Sequence, residues 1–139
     1  MSNVLARQRT LSELEFWKNA TEIRASFTRF LMSEKHVPKR WRPVFTFPGI
    51  GYALKLMEEI TAANTIYPTT EAELEQRRAH QNEAIIAVEQ IIQHMQFMIE
   101  TLDECRVSDF EHLGEKLFKE VALLKAWRKQ NKVLTQKKG

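Results

Sequence analysis

The stretch EAELEQRRAHQNEAIIAVEQIIQHMQFMIETLD, residues 71–103, decides the fold of this chain. It contains neither glycine nor proline, and its Ala, Glu, Gln, Leu and Met content favours helix by intrinsic propensity. Ile85, Val88, Ile92, Met95, Ile99 and Leu102 recur in alternating steps of three and four, the seam of a left-handed helical bundle. A second stripe, Ala84, Ala87, Ile91 and Met98 with His94 among them, widens the apolar surface beyond one seam. Two readings of that width stand: a face buried in another copy, or a central helix touching both neighbours in its own bundle.

Three more helices are predicted around it. The first runs over 11–34, with Phe16, Ala20, Ile23, Phe27, Phe30 and Leu31 along one face. The second runs from about 48 to 63 and turns Ile50, Ala53, Leu54, Met57 and Ile60 inward. Its stop is written at Pro68, which restricts Tyr67 and cannot donate to a helical ladder. The fourth runs over 109–131 and presents Phe110, Leu113, Leu117, Val121, Leu124 and Trp127. Thr10-Leu-Ser-Glu13, Thr70-Glu-Ala-Glu73 and Ser108-Asp-Phe-Glu111 each match the capping box, in which a hydroxyl and a Glu satisfy the first backbone N–H groups. Pro38, Pro43, Pro48, Gly49 and Gly51 crowd one window between the first two helices, and no period-two strand pattern occurs. The expected architecture is all-α, an antiparallel up-down four-helix bundle over 11–132, preceded by a disordered arm at 1–10 and followed by a basic tail at 133–139.

At 139 residues the chain is long enough for one domain with a core of its own. Its net charge of +3 hides a strong polarity: residues 1–57 carry +6, residues 58–120 carry −9 and residues 121–139 carry +6. The acidic middle either solvates the outer faces of helices or docks a basic partner. A lone cysteine, Cys105, leaves no internal disulfide and suits a reducing compartment. The N-terminal stretch has no long apolar run, so neither a signal peptide nor a membrane span is expected, and the predicted location is the cytoplasm.

No catalytic constellation is legible. His80 and His94 stand fourteen residues apart, about 21 Å along a helix, too far to grip one ion. HxxxH, ExxH and CxxC spacings are missing, so no metal or cofactor is expected. Gly-x-Ser-x-Gly is missing too, and Pro48-Gly-Ile-Gly51 fits neither nucleotide fingerprint, so it reads as a bend. The expectation is a protein that is not an enzyme.

Two basic clusters are the better candidates. In the C-terminal stretch VALLKAWRKQNKVLTQKKG, residues 121–139, no carboxylate side chain answers Lys125, Arg128, Lys129 and Lys132 or the two lysines after them. Such a run attracts polyanions, with a strength set by salt and by the phosphates neutralised. The second cluster centres on Lys39, Arg40 and Arg42, whose guanidinium groups suit bidentate phosphate contacts. Trp41 lies between them and either stacks on an unpaired base or, as is favoured, plugs the end of the bundle. Trp127, in register with Leu124, reads as core.

The order of these features resembles a known family. After a first helix come Val37-Pro-Lys-Arg40, a second helix ending in Ala63-Asn64, a long third helix, a Val107-Ser108 start, and Glu120-Val121-x-x-Leu124-x-x-Trp127-Arg128-Lys129. This pattern, from about Phe16 to Lys132, is similar to the accessory variability determinants (Avd) of diversity-generating retroelements. That family belongs with the four-helix-bundle proteins encoded in intervening sequences of bacterial ribosomal RNA genes. The resemblance implies a bundle assembling into a pentameric ring that binds template RNA and a reverse transcriptase. It implies support of mutagenic complementary-DNA synthesis without catalysis. Family basic positions fall on Lys39 and Arg40 after Pro38, and on Arg128, Lys129 and Lys132 after Trp127. One departure is the stretch Arg42 to Gly51, which breaks the continuous helix expected after the Pro-Lys-Arg entry.

The combined expectation is an oligomeric RNA-binding accessory protein. Its polyanion surface would comprise Lys39, Arg40, Arg42, Lys125, Arg128, Lys129 and Lys132, with Trp41 for stacking and Arg24 and Arg29 as additions. A protein–protein adaptor and a DNA-binding helper of a mobile element are the alternatives. The short glycine-containing turn of a helix-turn-helix reader is missing, which weighs against the last.

Overall fold

A computed structural model describes residue 11 and residues 13–134. The expected arm at 1–10, the Thr10 capping box and residues 135–139 of the tail lie outside the described residues. Four long helices make up the fold, and no strand occurs among the described residues: α1 (Glu15–Met32), α2 (Phe47–Thr65), α3 (Glu71–Thr101) and α4 (Glu111–Lys129). Each helix packs on the next in sequence, and α4 closes against α1, with the broadest interface between α2 and α3.

The apolar spacing produces the core. Ala20, Ile23, Phe27 and Leu31 of α1, Leu56 and Ile60 of α2, and Leu117 and Leu124 of α4 are fully buried. Each such large side chain stabilises the fold by roughly 1.5–3 kcal/mol relative to exposure. On α3 the wider stripe is the deeper one: Ala84, Ala87, Ile91 and Met98 have no exposure, and His94 has 5%. They are covered by helices of the same chain, so the self-association reading of that stripe does not hold. Two inward assignments also shift. Leu54 is 42% exposed, and Leu56 takes the interior place. On α4, Glu120 is fully buried while Val121 is half-buried. The seam there is Leu113, Leu117, Glu120, Leu124 and Trp127.

Capping chemistry sets α3 and the start of α4. The Thr70 hydroxyl accepts from the Glu73 N–H at 3.1 Å, and Glu73 reaches back to the Thr69 N–H at 2.9 Å. The Thr69 hydroxyl, which donates to the same carboxyl oxygen at 2.7 Å, and then the Thr69 N–H hold the Glu73 carboxyl below its usual pKa. Before α4 the cap differs from the expected Ser108 and Glu111 pair. Asp109 accepts from the Arg106 N–H at 2.8 Å, and a 3₁₀ turn over Val107–Phe110 leads into the helix.

The proline-rich window is not a break. A 3₁₀ turn over Lys39–Trp41 passes into one π-helical segment, Arg42–Thr46, and directly into α2. Pro43 and Pro48 each sit in the first turn of their segment, where the fixed φ of proline suits a helix start. Two buried hydrogen bonds pin this entry: the Thr46 hydroxyl donates to the Leu31 carbonyl at 2.8 Å, and His94 Nε2 donates to the Phe45 carbonyl at 2.7 Å. Because that carbonyl can only accept, Nε2 carries the proton, and burial among Phe27, Phe45, Tyr52 and Phe97 pushes the His94 pKa down.

Close packing explains one glycine here and not the other. A Cβ on Gly49 would lie 2.6 Å from Leu31 Cδ1 and 3.2 Å from the His94 ring, so the fully buried Leu31 would have to shift inside the core. A Cβ on Gly51 would meet nothing within 4 Å. Gly49→Ala should therefore lower the urea midpoint by about 1–3 kcal/mol of stability. Gly51→Ala should raise it by roughly 0.5–1 kcal/mol through helix propensity. Equal effects from the two variants would contradict the packing argument.

Candidate nucleic-acid interface

The two basic clusters sit at opposite ends of the bundle. One end gathers the connection after α1, the entry to α2 and the start of α4: Phe30 stacks on His36 at 4.3 Å and meets Phe110 at 4.5 Å. The other gathers the start of α1, the end of α2, the start of α3 and the end of α4: Phe16 stacks on Trp127 at 4.2 Å. The length of α4, about 28 Å at 1.5 Å per residue, separates them. Lys39, Arg40 and Arg42 therefore do not share one face of a single chain with Lys125, Arg128, Lys129 and Lys132. The single continuous surface expected from sequence is not formed within the chain.

At the first end the cluster is partly neutralised. Glu34, just ahead of the basic run, lies 3.4 Å from Lys39 Nζ and 3.7 Å from an Arg42 guanidinium nitrogen. His36 lies 3.8 Å from the Asp109 carboxylate. Trp41 is half-buried against Phe45 at 5.8 Å between centroids, with the Arg40 guanidinium 5.9 Å from its ring. The ring thus packs against the entry to α2, and the residue keeps part of its surface in solvent.

The second end sets the cations of α4 near the carboxylates Glu71, Glu73 and Glu75 that open α3, without pairing them. Lys125, Lys129 and Lys132 are exposed, and none of them, nor Arg128, is within ion-pair distance of a carboxylate among the described residues. Arg128 is half-buried, and among the described residues its guanidinium donates at 2.7 Å to the Asn82 side-chain oxygen, a neutral group that leaves its charge intact. Positive residues in the last turn of α4 also suit the negative end of the helix dipole, by roughly 0.3–1 kcal/mol each.

Sequence reasoning missed what holds this end in shape. Gln81 and Asn131 exchange two side-chain hydrogen bonds, at 3.1 and 2.6 Å. Arg77 Nε donates to Asn131 at 3.3 Å, its Nη1 donates to the Ile66 carbonyl at 2.9 Å, and its guanidinium lies 5.2 Å from the Trp127 ring centroid. Burial pulls the Arg77 pKa down from its usual value. The Leu134 N–H donates to the Pro68 carbonyl at 2.7 Å, so the chain leaving α4 is tied to the connection between α2 and α3 as far as that residue. The signal available in sequence was Asn131 itself, an amide just past the helix where a loose tail would need none.

No group of three His, Cys, Asp or Glu residues among the described residues is arranged to hold a metal ion. No helix among them is long and apolar enough to cross a membrane. Compared with models of known protein families, with curated proteins and with solved structures, the chain matches none.

Proposed function

We propose that this chain is a non-catalytic RNA-binding protein of the accessory variability determinant kind, serving a retroelement reverse transcriptase in mutagenic complementary-DNA synthesis. In this reading it acts in the cytoplasm as a homo-oligomer, a pentamer by the family resemblance, and needs no cofactor. The four helices alternate up and down. Support for that order comes from paired contacts: Phe16 meets Trp127 while Phe30 meets Phe110, and Tyr52 meets His94 while Glu59 meets His80.

The observation that carries the RNA reading is that Lys125, Arg128, Lys129 and Lys132 at the end of α4 make no ion pair among the described residues and are set on a hydrogen-bonded platform. An array held in place by Arg77, Gln81 and Asn131 meets phosphates with less ordering cost than a free tail. Lys39, Arg40 and Arg42 form a second, weaker patch, and an oligomer would be needed to bring it alongside the first. The test is binding to a structured RNA and to a matched duplex DNA, each across a salt titration. Affinity for RNA should be at least about tenfold tighter, with log K falling by roughly 0.7–0.9 per decade of salt for each phosphate neutralised. Tighter duplex binding would favour the DNA helper, and weak binding to both would favour the adaptor; either result overturns the proposal.

A further inference from the structure

On the side of the bundle where α4 begins, and away from the cationic end of α4, α3 and α4 leave an open apolar groove of about 390 Å³, floored by Ile92, Met95 and Ile99 and bordered by Val107 and Phe118. Phe118 is 68% exposed and Val107 66%, more than any other large hydrophobic side chain among the described residues. Two large apolar side chains offered to water beside a half-buried isoleucine row are the mark of an interaction surface. Gly114, within α4, lines the same groove, and a Cβ there would meet nothing within 4 Å. Glycine inside a helix costs about 1 kcal/mol against alanine. No contact among the described residues accounts for it, whereas a partner lying close against α4 would.

The charge of the rim identifies the partner's chemistry. Glu111 and Glu115 are the only charged residues of the groove lining, and both are exposed. Residues 100–115 hold six carboxylates and one cation, Arg106. The nearest lysines of α4 are turned away: Lys116 pairs with Glu22, and Lys119 lies 3.0 Å from Glu15, both on α1. A nucleic acid is repelled by such a rim. We propose that the α3/α4 groove docks a basic amphipathic helix of a partner protein, with apolar residues in the groove and Lys or Arg against Glu111 and Glu115. This surface is separate from the cationic end of α4, and the two assignments stand or fall independently.

The probe is a fluorescent synthetic Leu/Lys peptide of about five helical turns, with leucines at i, i+3, i+4 and i+7. Its controls are the same composition scrambled so that no apolar face forms, and a Leu/Glu helix. Fluorescence anisotropy on the full chain should give binding at least about tenfold tighter for the Leu/Lys helix than for either control. Gly114→Trp directs a large ring from a position whose Cβ meets nothing within 4 Å, and it should weaken that binding at least about tenfold while the thermal midpoint stays put. Phe118→Ala, on an exposed side chain, supplies a second variant with the same expected direction. Arg128→Glu with Lys129→Glu should leave peptide binding in place, which separates this surface from the nucleic-acid interface. Equal binding of the scrambled peptide, or undiminished binding to Gly114→Trp, overturns the proposal. So does a Gly114→Trp variant that turns an oligomer into a monomer, because the occupant would then be a second copy.

Discussion

Glu120→Gln should stabilise this protein at pH 9 by roughly 2–4 kcal/mol and remove the stability loss that Glu120 causes between pH 4.5 and about 8. Glu120 is fully buried on the α4 face turned to α1. One carboxyl oxygen accepts from Asn19 Nδ2 at 3.0 Å, while the other, Oε2, has no hydrogen-bond partner. Burial is the larger influence and the Asn19 hydrogen bond only offsets part of it, so the pKa rises from 4.5 to about 8. The folded state therefore holds this proton more tightly than the unfolded chain. The stability this group contributes is fully present below pH 4.5, falls as pH rises through the window from 4.5 to about 8, and then levels off. A difference of one in pKa between the folded and unfolded chain is worth about 1.4 kcal/mol. A glutamine keeps the shape and an acceptor for Asn19 but carries no charge. Its amide nitrogen inherits the unpartnered position, which costs roughly 1–3 kcal/mol and trims the gain. Chemical denaturation of both proteins at several pH values measures this directly. Parallel stability curves would mean that water or a cation reaches the Glu120 carboxylate in solution.

Glu120 also marks where the sequence is legible and where it is not. Steps of three and four through Leu113, Leu117, Leu124 and Trp127 place position 120 on the seam, yet a charged residue there invites assignment of the neighbouring Val121 instead. Periodicity was the better guide than residue type. The same periodicity makes the four helices readable, because each buries one continuous stripe and Thr70 announces α3 with a side chain that caps it. The entry to α2 is less readable. Pro43, Pro48 and two glycines look like punctuation, but prolines in first turns and a glycine under Leu31 are also what a tightly packed helical entry needs. That distinction depends on a tertiary contact no local pattern carries. The basic residues were readable as clusters and not as a surface, since nothing along the chain says that Lys39 and Arg128 fall at opposite ends. Nor does composition reveal that Glu34 folds back on Lys39 and Arg42, or that Asn82 and not a carboxylate meets Arg128.

That asymmetry between the two clusters leads to the second large effect. Reversing Arg128 and Lys129 together, to Glu, should raise the Kd for structured RNA by about tenfold to a hundredfold near physiological salt and make its salt dependence shallower. Two lost phosphate contacts flatten the slope of log K against log salt by roughly 1.4 for single strands and 1.8 for a duplex. The added carboxylates repel phosphate beyond the loss of attraction. Part of the change is structural: negative charge at the C-terminal end of α4 opposes the helix dipole, at roughly 0.3–1 kcal/mol per residue. Arg128 also gives up its 2.7 Å hydrogen bond to Asn82. Arg128→Gln with Lys129→Gln separates the two contributions, since glutamine at 128 offers the Asn82 oxygen a donor and neither substitution opposes the dipole strongly. That variant should keep the thermal midpoint and still flatten the slope by the same amount. Charge reversal at Lys39 and Arg40 is the matched comparison. Lys39 already lies against Glu34, so the loss of affinity there should be smaller. A larger loss at Lys39 and Arg40 would move the interface to the other end of the bundle, and unchanged affinity in the Arg128 and Lys129 variant would remove it from α4 altogether.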